Sequence, residues 1–247
     1  MKLHVLGSGS TGNGYILEGE NSALIIEAGL PMMEAKKALQ FNLSKVAGLI
    51  VSHAHHDHAG RVTEYAKAGI NVYSSLECLE SSGMLNGMSH RAKPVVEGRK
   101  YKIGEFTIVP FNLVHDVKNY GYLIDHPECG LTCFLTDTHY SPFVFPGLNN
   151  LLLECNYSDD VIERRVEDGH LHPSLAERIK NSHMAQSTTL EFLRCNNLNN
   201  VNNIVLIHLS QGNSNQAAIS QDVFNLTGKT PTIAAAGLTI DFNKQPF

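Results

Sequence analysis

Residues 52–60 read Ser-His-Ala-His-His-Asp-His-Ala-Gly, and no other stretch restricts the fold as much. Four side chains of metal-ligand type, His53, His55, Asp57 and His58, fall within six residues. The apolar run 47–51 before them predicts a short buried strand, and 60–68 after them predicts a helix. Two His at i, i+2 on an extended segment project the same way and can share one ion. Asp57 and His58 come after a turn and aim at a second point, so the stretch suggests two ions.

The remaining chain alternates short apolar runs with turn residues. Strands are predicted over 2–6, 15–18, 22–28, 70–74, 100–103, 106–114, 120–125, 131–135, 150–153, 203–207, 230–234 and 238–242. Helices are predicted from Pro31 to 40, from a Ser75 cap to about 82, over 159–166 behind Ser158, over 188–195 behind Ser182 or Ser187, and over 215–226. Residues 83–99 read as irregular. The glycine-rich Gly7-Ser8-Gly9-Ser10-Thr11-Gly12-Asn13-Gly14 is neither a Walker A loop nor a dinucleotide fingerprint, because no Gly-Lys-Ser/Thr follows and a strand comes next. It suits a tight hairpin, and equally a loop that offers N–H groups and hydroxyls to an anion. With no linker and no low-complexity tract, the reading is one α/β domain over 1–247.

Composition bounds the function. The five Cys, at 78, 129, 133, 155 and 195, form no Cys-x-x-Cys pair, which suits free thiols in a reducing, cytoplasmic setting. No signal-peptide pattern and no apolar run near 18 residues is seen, so no membrane association is expected. The net charge of −5 argues against a general electrostatic grip on nucleic acid. Two basic clusters, Arg91/Lys93/Arg99/Lys100/Lys102 and Arg164/Arg165, read as solvated surface before they read as a local rim.

The informative pattern is where the apolar strands end: at His53/His55, His115, Asp137, Glu154 and His208. Taken singly, His115 is an ordinary histidine and Asp137 a turn former. Strand ends on one edge of a sheet converge, and so many ionisable groups together are costly unless a cation pairs with them.

His53-x-His55-x-Asp57-His58, followed by His115, Asp137 and His208 in that order, resembles the signature of the metallo-β-lactamase superfamily over nearly the whole chain. The resemblance implies a four-layer αββα sandwich with two divalent metal ions, zinc or manganese with iron also accommodated, at one edge of the sheets. It implies that His53, His55 and His115 hold the first ion, that Asp57, His58 and His208 hold the second, and that Asp137 bridges. His56 fills the variable position, and His139 lies two residues past Asp137.

A finer resemblance, to the YycJ/WalJ-type branch, is carried by Leu6–Asn13, by Leu152-Leu153-Glu154-Cys155-Asn156, by Ser182-His183-Met184-Ala185-Gln186-Ser187 and by His208-Leu209-Ser210. Glu27 stands where that branch usually has Asp, and 156–186 matches poorly. The branch implies a phosphodiesterase, a 5′→3′ exonuclease acting on DNA or RNA through a metal-bridging hydroxide. Asp57, Asp137 and His183 are the expected catalytic residues, and Ser8, Ser10, Thr11, Asn156 and His183 the expected substrate contacts. The alternative is a hydrolase of a small phosphodiester such as a cyclic nucleotide, or of a thioester or lactone. The oligomeric state is left open.

Overall fold

The apolar runs become strands of two sheets, in a computed structural model that describes residues 1–245. The first sheet takes β1 (Lys2–Gly7), β2 (Gly14–Glu18), β3 (Ala23–Ile26), β4 (Val46–Ile50), β5 (Val72–Ser74) and β6 (Ala92–Pro94). The second takes β7 (Tyr101–Ile103), β8 (Phe106–Leu113), β9 (Asn119–His126), β10 (Gly130–Leu135), β11 (Leu148–Glu154), β12 (Asn203–Ile207) and β13 (Thr232–Ile233). The last strand, β14 (Thr239–Asp241), returns to the edge of the first sheet beside β1.

Strand direction decides where the polar ends go. β1 to β3 are antiparallel in turn and β3 to β6 are parallel, so β1, β3 and β4 all leave the sheet at one edge. The second sheet repeats the scheme. β7 to β10 are antiparallel and β10 to β13 parallel, so β8, β10, β11 and β12 also share an exit edge. β3 and β11 are buried along their whole length, which is why they read as unbroken apolar runs rather than alternating ones.

The inner faces meet in one core that includes Leu3, Tyr15, Leu17 and Leu24 from the first sheet and Tyr122, Phe134, Leu152 and Val205 from the second. Each such side chain contributes about 1.5–3 kcal/mol relative to exposure. Helices α1 (Met32–Ala38), α3 (Val62–Lys67) and α4 (Leu76–Ser81) cover the outer face of the first sheet through Met32, Tyr65 and Leu79. Helices α7 (Gln186–Cys195) and α8 (Gln216–Thr227) cover the second through Phe192, Leu193, Ile219 and Val223. The order of layers is αββα. α5 (Asp159–Glu167) and α6 (Pro173–Ser182) pack on each other around Ile162, Leu171 and Ala176.

Some local expectations are corrected. The helix expected over 60–68 is α3, and it is preceded by an unexpected single turn, α2 (His56–Ala59), which lies inside the histidine cluster. Residues 83–99 contain β6, which adds to β5 as a parallel edge strand. α6 was not anticipated, although Pro173 in its first turn, with His172 Nδ1 accepting from Ser174 N–H, is a helix start. Ser158 does not cap α5. Its hydroxyl donates to Gln186 Oε1 and accepts from Asn215 N–H, tying the starts of α7 and α8 together. α7 begins at Gln186 with no side-chain cap, so neither Ser182 nor Ser187 serves it.

Candidate metal centre

β4 ends at Ile50 and the chain stays extended through His55, whose carbonyl then accepts from the N–H groups of His58 and Ala59 to start α2. That single helical turn explains why the cluster aims two ways. His53 and His55 project from extended backbone, and Asp57 and His58 from a helix. His115 follows β8, Asp137 follows β10, Glu154 ends β11 and His208 follows β12. The shared exit edge brings all of them together.

Three groups result. His53, His55 and His115 each bring one ligand atom within 4.8 Å of the others; so do Asp57, His58, Asp137 and His208; so do Asp137, Glu154, His183 and His208. Asp137 stands between the first two groups, with Oδ2 3.9 Å from His53 Nε2 and Oδ1 3.3 Å from His58 Nε2. His208 Nε2 lies 3.5 Å from Asp57 Oδ2, and His55 Nδ1 lies 3.3 Å from His115 Nε2. His56 points to solvent, and His139 Nδ1 contacts the Lys180 carbonyl on α6, so both stand outside these groups.

The donor set fits divalent cations. Among the described residues, the buried His53 Nε2, His115 Nδ1 and His208 Nε2 have no hydrogen-bond partner. Burying such an atom unpaired costs about 1–3 kcal/mol, which a metal bond would remove. Imidazole and carboxylate together accept zinc, manganese or iron.

A second tier of residues fixes the first. Ser52 Oγ is 2.9 Å from His53 Nδ1, which leaves Nε2 for the cluster. Glu27 is fully buried; it accepts from Ser52 N–H and its Oε2 lies 3.5 Å from His58 Nδ1, off hydrogen-bond alignment. The residue that departs from the branch pattern therefore still sits behind a cluster histidine. Glu154 accepts from His183 Nδ1 at 2.7 Å, His208 Nδ1 at 3.2 Å, Thr138 N–H at 3.0 Å and Met184 N–H at 3.3 Å. Asn13 Nδ2 approaches both His58 Nε2 and Asp57 Oδ2, and Asp116 lies 3.1 Å from His115 and 3.4 Å from His55. Asn13 and Asp116 were not expected as site residues. Asp116 adjoins His115 and Asn13 lies two residues past Thr11, and that nearness was the only available signal.

Electrostatics follow from four carboxylates among the imidazoles. Burial alone would push His208 down, but Asp137 and hydrogen bonds to Asp57 and Glu154 lift it to about 10. His58 also rises, its burial outweighed by Asp137 and Glu27, and His183 rises because Glu154 outweighs its burial. His53 falls, through burial and the charge of His58, and burial lowers His115. Burial would raise Asp57 and Asp137, yet neighbouring histidines hold both well below the usual carboxylate range.

His55, Asp57, His115, Asp137, His183 and His208 line an open cavity of about 610 Å³, while His53, His58 and Glu154 are buried behind them. Ser8, Ser10, Thr11, Asn156 and His183 all line it. Two of them also have structural partners. Ser8 Oγ accepts from His208 N–H at 2.8 Å and meets Tyr15 OH, and Asn156 Nδ2 donates to the His208 carbonyl. Ser10 and Thr11 are exposed at the rim. Leu175, Arg178, Ile179 and Ser182 of α6 form a wall that the sequence reading missed. Neither basic cluster lines the cavity.

Comparison with known proteins agrees with this architecture. The model of the metallo-beta-lactamase superfamily matches residues 7–75, from the glycine-rich loop through the histidine cluster to β5. The exodeoxyribonuclease WalJ of Streptococcus pneumoniae serotype 2 is 25% identical over 258 aligned positions, covering 98% of this chain and 92% of WalJ. The exodeoxyribonuclease YycJ of Bacillus anthracis is 26% identical over 180 positions, 66% of each chain. Among solved structures, the metallo-beta-lactamase fold protein YhfI of Bacillus subtilis superposes with a TM-score of 0.75 at 18% identity, covering 97% of this chain and 98% of YhfI. This chain has the metallo-beta-lactamase fold and resembles the exodeoxyribonucleases WalJ, along nearly its full length, and YycJ, along about two thirds of it.

Proposed function

We propose that the chain, as one domain over 1–247, is a dinuclear metal-dependent phosphodiesterase that degrades polynucleotide as a 5′→3′ exonuclease. The observation that carries this reading is the convergence of three ligand groups, with unpartnered imidazole nitrogens among them, at one open cavity that six of their residues line. The relatives named exodeoxyribonucleases support polynucleotide as the substrate. His53, His55 and His115 would hold one ion, Asp57, His58 and His208 the other, with Asp137 between them. Two such ions supply a nucleophile at neutral pH and offset the charge that builds on a phosphodiester in the transition state.

The chain's own side chains do the rest. Glu154 engages His183 Nδ1 and Asp137 Oδ2 lies 3.8 Å from that nitrogen, so His183 Nε2 is the ring atom left for substrate. That atom donates a proton to the leaving oxygen. The hydroxyls of Ser10 and Thr11 donate to phosphate oxygens at the rim, while Ser8 and Asn156 hold His208 in place.

The test assays protein loaded with Mn²⁺ or Zn²⁺ on 5′-phosphorylated single- and double-stranded DNA, RNA, bis-p-nitrophenyl phosphate, cyclic nucleotides and a thioester. Stepwise release of nucleotides from polynucleotide is expected. Asp57→Ala should lower it by two orders of magnitude or more, about what losing an ion ligand costs. Turnover of the aryl diester or the thioester without any polynucleotide degradation would replace this reading with a small-substrate hydrolase.

A further inference from the structure

α6 is a part of the cavity wall that the metal cluster does not require. Leu175, Arg178, Ile179 and Ser182 stand at i, i+3, i+4 and i+7, which is one face of a helix, and all four line the cavity. Ala176 on the same helix packs with Ile162 and Leu171, and the partly buried Ile179 packs against that cluster as well as lining the cavity. Leu175 is left 45% exposed over the opening. Between Leu175 and Ile179 stands Arg178, the one Lys or Arg among the described residues lining the cavity. Among the described residues no hydrogen bond or ion pair holds its guanidinium, and the other charged lining side chains besides histidines are Asp57, Asp116 and Asp137.

Two chemistries are thus offered side by side. A planar guanidinium with free N–H groups matches a phosphate bidentately, especially a dianionic terminal one. Leu175 and Ile179, one helical turn apart, give an aliphatic surface on which a base can lie once it has left its stack. A volume of about 610 Å³ falls in the range of small-ligand sites, about 300–1,000 Å³, which is too small for a duplex.

We propose that α6 seats one unpaired terminal nucleotide of the substrate strand, with Leu175 and Ile179 against its base and Arg178 on its 5′-phosphate. The inference rests on the polynucleotide reading above. It makes α6 the stop that limits the strand to one nucleotide beyond the floor, so the end of a duplex has to fray before it enters. It also places recognition in short-range contacts at the strand end. The basic residues elsewhere are committed or distant: Arg165 donates to the Gly212 carbonyl and to Asn213 Oδ1, and Lys102 to the Glu105 carbonyl.

The test measures binding and turnover separately on the metal-loaded protein. Fluorescence anisotropy follows a phosphorothioate single-stranded tetranucleotide with and without a 5′-phosphate. In the wild type the 5′-phosphate should tighten binding about tenfold, as one charged bidentate contact would. Arg178→Ala should erase that preference, Arg178→Lys should keep part of it, and Leu175→Ser should weaken both oligonucleotides about equally. Equal affinity for the two oligonucleotides in the wild type, or a preference retained in Arg178→Ala, would overturn the seat. Failure to degrade any polynucleotide in the companion assay would instead overturn the reading on which the seat rests, so the two failures are distinguishable.

Discussion

Three residues of the centre, Glu27, Asp137 and His208, hold left-handed backbone, with φ of 66°, 50° and 56°. For a side-chain-bearing residue this costs about 1–2 kcal/mol, and each is held by specific contacts. Asn119 Nδ2 donates to the Asp137 carbonyl at 2.7 Å, Ser8 accepts from His208 N–H, and Glu27 N–H donates to the Ile50 carbonyl. Glu154 is the most heavily used of the supporting residues. Burial would raise its carboxyl, but His183 and His208 pull it down, so it faces its four donors as a carboxylate. Glu154→Gln replaces one acceptor oxygen by a donor. The expected result is a metal affinity about 10–100-fold weaker, measured by competition with a chromophoric chelator. Folding stability should fall by about 3 kcal/mol, measured by urea denaturation.

At the scale of elements, the centre depends on how closely the loop after β1 and the turn of α2 approach one another. Asn13 N–H donates to the Asp57 carbonyl and Gly29 N–H to the Asn13 carbonyl. A Cβ on Gly29 would lie 1.8 Å from the Asp57 carbonyl oxygen and 2.7 Å from Asn13 N. Gly29→Ala must therefore displace Asp57 and His58 while leaving β8 and His115 where they are. For the dinuclear centre proposed above, it should lower the bound metal from two ions toward one, read by elemental analysis of the purified protein.

This contact also marks the limit of sequence reading. The ligand-type residues were legible because each ends an apolar strand, and strand direction then gathers them at one edge. Gly29 shows nothing in its neighbours that demands glycine, since its constraint comes from a loop remote in sequence. α6 was missed for a related reason. Its Leu175 and Ile179 turn toward an open cavity, so the apolar spacing that reveals a core-facing helix is diluted by exposed Glu177 and Arg178. Asp116 was illegible because a lone acidic residue after a strand is ordinary until the two histidines beside it are placed.

At the scale of the whole molecule, four of the five thiols are buried and one, Cys195 at the end of α7, is exposed. Burial pushes Cys129 up to about 11 and Cys78 and Cys155 to about 12, and raises Cys133 as well. A thiol reacts as its thiolate, which forms only as pH rises toward its pKa. At pH 8 a disulfide reagent should therefore label one thiol per native chain, the exposed Cys195, and all five after denaturation. Cys195 is itself shifted upward by its hydrogen bond to Glu191, so its labelling should speed up as pH rises from 8 to 9. Metal removal tests the coupling of the centre to the fold. If ions bind only the folded chain, free metal at a thousandfold excess over Kd adds about 4 kcal/mol. For a chain of this size that is roughly 8–16 °C in Tm, and a scan with and without chelator measures it.

The link between Ser8 and His208 joins residues 200 apart in sequence. It seats a candidate ligand at the end of β12 on the first loop of the first sheet. During synthesis the chain emerges from its N-terminal end at about 5–20 residues per second. His53, His55, His115 and Asp137 have all left the ribosome well before His208 does. This order keeps the centre incomplete until nearly the whole of the described chain is available to fold. For the nuclease proposed above, the sequence position of one histidine would keep the nascent chain from cutting its own message.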